Sequence, residues 1–228
     1  MKWRSLEETS ATDFRPLREI YAERKELIAK YVPAEMQAIH AQVVAELEQK
    51  SFAEHSLAEG VQLPPFQLKD HNGKDVSSAE LLRESTLLVC FFRGRWDPFC
   101  VGQLEAMNLV FPDIQKSGAS LVAISPQTVH QSFLMRDQHK LRFPLLSDEG
   151  NNIARGLGLV YTVPEYQQAV YRRAFVNLPF ANGDDSWTLP IPATYILDRA
   201  GTVRYRWADE DYTERPEPVD IVEKLRTL

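Results

Sequence analysis

Two short apolar runs stand out along the chain, Leu87-Leu88-Val89-Cys90-Phe91-Phe92 and Leu121-Val122-Ala123-Ile124. Neither alternates with polar residues, so each predicts a strand covered on both faces, as inner strands of a parallel sheet are. Between them, Pro98 to about Ser117 has the length of a crossover helix, with Pro112 as an expected kink and Gly118 as its stop. The pattern continues with a helix over about 129–141, a short strand over 143–146 and a brief helix over 151–156. A helix over 164–175 lies in a longer insertion that runs through Asn182-Gly183-Asp184-Asp185. Residues 194–197 and 202–207 form a hairpin around Arg199-Ala200-Gly201, and 218–225 is a terminal helix. Upstream, Phe66-Gln67-Leu68 followed by Asn72-Gly73 predicts a hairpin with a primed turn. Ser77-Ser78-Ala79-Glu80 has capping-box spacing ahead of a helix at Leu81-Leu82. The order β-α-β-α-β, then a hairpin and a closing helix, is an α/β layer pattern.

Residues from about 15 to 55 differ from the rest: Gly-free, helical and rich in Glu and Lys. Leu17, Ile20, Tyr21, Leu27, Ile28 and Tyr31 make one helical stripe. Pro33 suits the first position of a second helix, with Met36, Ile39, Val43, Val44 and Leu47 along one face. The expected organisation is an N-terminal helical extension over 1–56 and an α/β domain over 57–228. The extension is either an arm packed on its own domain or an element for a homodimer.

Composition narrows the function. A net charge of -6 without a dense Lys/Arg block argues against nucleic-acid or acidic-membrane binding. No apolar run approaches a membrane span, and the first residues lack the apolar core of a signal peptide. With Cys90 and Cys100 alone there is no disulfide framework, and a cytoplasmic, reducing setting is the default expectation. No metal is expected: His40, His55, His71, His130 and His139 are scattered, and Asp209-Glu210-Asp211 reads as a solvated acidic loop. Arg155-Gly156-Leu157-Gly158 lacks the third glycine of a dinucleotide fingerprint, and no P-loop or nucleophile elbow is present. No cofactor is expected.

The remaining chemistry is that of sulfur. Cys90, inside an apolar run, reads as a small buried hydrophobe. Cys100 differs, because Asp97-Pro98-Phe99-Cys100 spells N-cap, N1, N2, N3 of a helix that follows a strand and a short loop. A thiol in a first turn meets free N–H groups and the positive dipole end, which favour thiolate. Asp97 acts the other way: an anion about 5 Å away opposes ionisation by roughly one to two pKa units. Arg93 and Arg95 would offset it if they point into the loop. Where a CxxC motif has its first cysteine this chain has Asp97, so dithiol exchange within one CxxC is excluded.

Four stretches carry a family resemblance. They are the segments 91–100, Leu121-Val122-Ala123-Ile124-Ser125-Pro126-Gln127, Phe143-Pro144-Leu145-Leu146-Ser147-Asp148, and 189–198 with Pro192-Ala193-Thr194 at its centre. From about Phe14 onward the chain resembles the bacterial peroxiredoxin-like proteins of the AhpC/TSA group. The resemblance implies a thioredoxin-like, peroxiredoxin-type three-layer α/β fold. It aligns Cys100 with the peroxidatic cysteine of PxxxTxxC, Asp97 with the threonine (a second cysteine in a WCPxC subgroup) and Arg93 with the proline. Where the family's peroxide-polarising arginine usually stands, this chain has Pro192, more like the cis-proline of thioredoxins; a cis Ile191–Pro192 bond facing Cys100 is the expectation. The resemblance implies a one-cysteine peroxidase, with a peroxide substrate and an external thiol such as thioredoxin or glutathione. Arg93 and Arg95 would stabilise the thiolate, Trp96 and Phe99 would wall the site, and Pro192 would shape its far side. The alternative is a thioredoxin-fold redox-sensing or binding module without turnover, because Asp97 disfavours the thiolate. A thiol pKa below about 8.5 favours the first and one above it the second.

Overall fold

The structure, a computed structural model, describes residues 15–228. Two helices come first, α1 (Leu17–Tyr31) and α2 (Ala34–Glu48). The strands β1 (Gln67–Asp70) and β2 (Asp75–Ser77) lead into α3 (Ser78–Glu84). Then follow β3 (Thr86–Phe91), α4 (Pro98–Lys116), β4 (Ala119–Ser125), α5 (Val129–Gln138) and β5 (Leu145–Ser147). An insertion carries α6 (Asn152–Gly156), β6 (Val160–Thr162), α7 (Glu165–Arg173), α8 (Leu178–Asn182) and β7 (Thr188–Pro190). The order ends with β8 (Ala193–Leu197), β9 (Val203–Ala208) and α9 (Pro218–Arg226).

Seven strands form one sheet in the order β2-β1-β5-β4-β3-β8-β9, and β6 and β7 pair as a separate ribbon. β3 is an inner strand, parallel to β4 and antiparallel to β8, as its apolar run requires. Its side chains divide by the period of two. Leu87, Val89 and Phe91 face a core shared with Val43 and Leu47 of α2 and with Tyr161, Tyr171 and Leu189 of the insertion. Leu88 and Cys90 face Leu104, Met107 and Ile114 of α4 and Ile221 and Leu225 of α9. The result is a sheet between two layers, with the start of α4 at the C-terminal end of β3.

Several local expectations change. The β1–β2 connection is closed by Asp70 N–H to Lys74 O (2.8 Å) around His71-Asn72-Gly73, and of these Gly73 alone has positive φ. A primed two-residue turn needs positive φ at its first central residue, so this is a longer loop. The capping box does not form: Ser77 makes no cap bond, and Ser78 Oγ instead accepts from Phe66 N–H at 2.9 Å. The Ile191–Pro192 bond is trans. The chain here is extended, with Ile191 N–H bonded to Leu159 O at 2.8 Å, and it passes straight from the β6–β7 ribbon into β8. Pro33 is the N-cap of α2 rather than its first residue.

α1 buries Leu17, Tyr21 and Arg24, while Leu27 and Tyr31 of the expected stripe remain exposed. Its partner is α4, through Phe99 and Ala106. Gly102 permits the approach, since a Cβ there would stand 3.0 Å from both Arg24 Nη1 and Tyr21 Cε1. Tyr21 OH donates to Phe99 O and Arg24 Nη1 to Pro98 O, so α1 grips the backbone of the first turn of α4. Gly102→Val should displace α1 and cost about 1–3 kcal/mol in urea denaturation, with faster amide exchange across α1. Unchanged stability and exchange would show that the helix contact is slack.

Candidate active site

β3 delivers the chain to the site, and Phe92 N–H extends the sheet by bonding Ile124 O at 2.9 Å. The chain then turns through Gly94, whose φ of 144° and lack of a side chain are both needed: a Cβ there would lie 2.7 Å from Trp96 Nε1. Gln127, buried two residues past β4, holds the turn by accepting from Arg95 N–H at 3.0 Å. Asp97 caps α4, its Oδ1 taking Phe99 N–H at 2.9 Å, and Pro98 occupies the first turn.

Cys100 Sγ lies fully buried among three groups. Arg93 N–H points to it at 3.3 Å and Arg215 Nη2 at 3.4 Å, while the thiol itself donates to Asp97 Oδ2 at 3.2 Å. That carboxylate oxygen also stands 3.1 Å from Arg93 Nε, an ion pair lying off the N–H direction, so it is a charge contact rather than a hydrogen bond. Arg93 is boxed in: Nη2 donates to Tyr171 OH at 3.0 Å, and the guanidinium sits 4.2 Å from the Tyr212 ring and 4.8 Å from the Trp96 ring. Burial pushes the Cys100 thiol up to about 11 and Asp97 adds to the rise, with Arg215, Arg93 and the Arg93 N–H opposing it. The dipole argument alone would put the value below the ordinary one, but here desolvation outweighs it. Cys90, buried in β3, is pushed up to about 12.

The expected residues separate into two groups. Arg93, Asp97 and Cys100 meet. Arg95 does not join them: its guanidinium turns to α5, donating to Gln131 Oε1 at 3.1 Å and Gln138 Oε1 at 3.3 Å. Trp96 packs on Tyr171 and under Arg93, and the buried Phe99 ring packs against Tyr21 and Tyr212. Pro192 lies next to Ala193, the partner of Phe91 at the end of β3, and its carbonyl accepts from Asp209 N–H at 3.4 Å.

Arg215 was not anticipated. It is fixed by Gln103 Oε1 at 2.8 Å on Nε and by Tyr212 O at 2.6 Å on Nη1, which leaves Nη2 for the sulfur. A basic residue within the acidic stretch Asp209-Glu210-Asp211-Tyr212-Thr213-Glu214-Arg215 was the available signal. Tyr21, Arg24, Tyr171 and Tyr212 were missed as well, because they reach the site from elements distant in sequence.

The model of the AhpC/TSA family matches residues 60–206, well over half of the chain. The chain belongs to the AhpC/TSA family. Among curated relatives, the chloroplastic peroxiredoxin Q of Suaeda salsa is 29% identical over 159 residues, covering 70% of this chain and 64% of that protein. That of Gentiana triflora is 30% identical over 152 residues, 67% of this chain and 59% of the relative. The chain thus spans less than two thirds of these two relatives. Peroxidoxin BcpB from Mycobacterium tuberculosis superposes with a TM-score of 0.61 at 18% identity, over 75% of this chain and 98% of that one, a likeness of fold. The expectation of a cytoplasmic protein is overturned, since several relatives are named as chloroplastic. Cys90 and Cys100 are both buried and unpaired, which does not fix a compartment. α1, α2 and Arg215 lie outside the matched segment.

The Arg93–Asp97 pair is buried, so Asp97→Ala should cost about 3–5 kcal/mol by leaving Arg93 unpaired; a loss below 1 kcal/mol in chemical denaturation would contradict this. The Cys100 thiol also sets a pH dependence. Its folded value, about 11, exceeds the 9.0 of the free group, so its contribution to stability is complete below pH 9. As pH rises from 9 to 11 the unfolded chain ionises first and stability falls. Cys100→Ala should flatten that part of the stability–pH curve.

Proposed function

We propose that the protein is a thiol peroxidase working through Cys100. The observation that carries this is the placement of one sulfur, at the start of α4, within 3.4 Å of a backbone N–H, a guanidinium and a carboxylate. Family membership supports it, as do the peroxiredoxin names of the relatives. The high thiol pKa gives Asp97 a role beyond repulsion: a carboxylate already accepting the S–H bond is a base in place. The thiol proton passes to Asp97 as Sγ attacks the terminal peroxide oxygen. An S–O bond forms, the O–O bond breaks, and the departing oxygen takes the proton from Asp97 and leaves as alcohol or water. Arg215 stabilises the charge on sulfur and on the departing oxygen, and Arg93 balances Asp97 throughout. An external thiol then attacks the sulfenic sulfur, releasing water, and a second thiol frees Cys100 from the mixed disulfide.

The same thiol value favours a second reading. The Cys100 thiol is fully buried, donates to Asp97 and is pushed up by desolvation, so thiolate forms slowly, which suits a redox-sensing or binding module without turnover. Sustained peroxide consumption with thioredoxin or glutathione present supports the peroxidase; consumption that stops near one equivalent supports the module.

For the peroxidase, Cys100→Ser should abolish consumption and Cys90→Ser should leave it intact. Activity surviving in Cys100→Ser would remove the assignment. Arg215→Met should lower kcat/KM roughly 10²–10³-fold, the scale seen when one donor to a developing oxyanion is lost. A change under threefold would make Arg215 a loop anchor alone.

A further inference from the structure

A cavity of about 370 Å³ opens between α1, α2 and the loop of residues 211–213. Ile28, Val32, Ala41 and Val44 line it with apolar surface, and His40 and Tyr212 also line it. Both of these lead to the site. Tyr212 stacks on the Arg93 guanidinium at 4.2 Å and meets the Phe99 ring edge-on at 5.9 Å. His40 contacts the Tyr171 ring at 5.6 Å, and Tyr171 holds Arg93. Tyr212 thus touches both this chamber and the Arg93 guanidinium of the Arg93–Asp97–Cys100 cluster. It is coupled to the sulfur as well, because Tyr212 O anchors the Arg215 guanidinium that points at Sγ.

Resting on the peroxidase reading, we propose that this chamber binds the apolar body of a neutral organic hydroperoxide and that displacement of Tyr212 admits its peroxide group to Cys100. The sulfur is fully buried, so a substrate must move something to reach it. Tyr212 is the group that touches both the chamber and the site. The walls suit a hydrocarbon group of about one ring. Charge on the lining disfavours anions: Asp211 and Glu48 are part of it, and its Lys25 is already paired with Glu214 at 2.5 Å. His40, held down to about 4 by burial and by Arg93, stays neutral at pH 7 and adds no attraction for a carboxylate. Every residue lining the chamber lies outside the segment matched by the family model, so the chamber belongs to the elements added around that core. The reaction balances as above: Sγ takes the terminal oxygen, the O–O bond breaks, and the substrate leaves as its alcohol.

The test fills the chamber from two positions, Val44→Trp and Ala41→Trp, and compares cumene hydroperoxide with hydrogen peroxide under reducing turnover. Both variants should lower kcat/KM for cumene hydroperoxide at least tenfold more than kcat/KM for hydrogen peroxide, which has no apolar body for the chamber to hold. Equal effects on the two peroxides, or no effect on either, would overturn the chamber. A parent protein that turns over neither peroxide would instead remove the peroxidase reading, and the substrate role with it. Binding of 2-phenyl-2-propanol, the product alcohol, to Cys100→Ser gives a readout without catalysis. It should be measurable in that variant and lost when Val44→Trp is added, and absence of binding in Cys100→Ser would also overturn the chamber.

Discussion

The ion pair between Arg93 and Asp97 is the constraint around which the site is arranged. Both side chains are almost wholly withdrawn from water, a costly state for either charge alone. The surroundings meet that cost with specific contacts. Asp97 takes a helix N–H and the thiol, and Arg93 takes the Tyr171 hydroxyl and two aromatic faces. The pair also joins the start of the loop after β3 to the N-cap of α4, three residues before Cys100. Loss of either charge would disturb the backbone geometry as well as the electrostatics.

The thiol sits in a balance that composition does not reveal. A helix start and two guanidinium groups pull towards thiolate, while complete burial and a carboxylate pull towards thiol, and burial wins. Such a resting cysteine is protected from adventitious alkylation and oxidation. It requires that reaction be coupled to proton removal by a group within reach, which is where the Asp97 contact acquires its chemical meaning.

Much of the fold was legible because its signals are local. The apolar runs marked β3 and β4, Asp97-Pro98 marked the start of α4, and Gly118, with φ of 74°, marked its end. The β6–β7 ribbon escaped because three-residue strands show no period. Leu27 was misplaced because the stripe that buries runs through Leu17, Tyr21 and Arg24, and a buried arginine carries no hydrophobic signal. Cys100, Asp97 and Arg93 were readable within eight consecutive residues. Arg215 reaches the same sulfur across 115 residues, a contact that no local pattern encodes.

One contact far from the thiol bears on how the whole chain is assembled. α1 starts at Pro16 without a side-chain cap of its own, and its first amides, Leu17 N–H and Arg18 N–H, are taken by the two carboxylate oxygens of Glu217 at 2.9 and 2.8 Å. Lys25 and Glu214 repeat the link about two helical turns further on. The first described helix and the segment before the last are therefore stitched to each other, and together they roof the cysteine that the family core supplies. Removing the Glu217 carboxylate would leave the first two amides of α1 open to water, so an exchange made just before α9 would be felt as fraying at the opposite end of the chain.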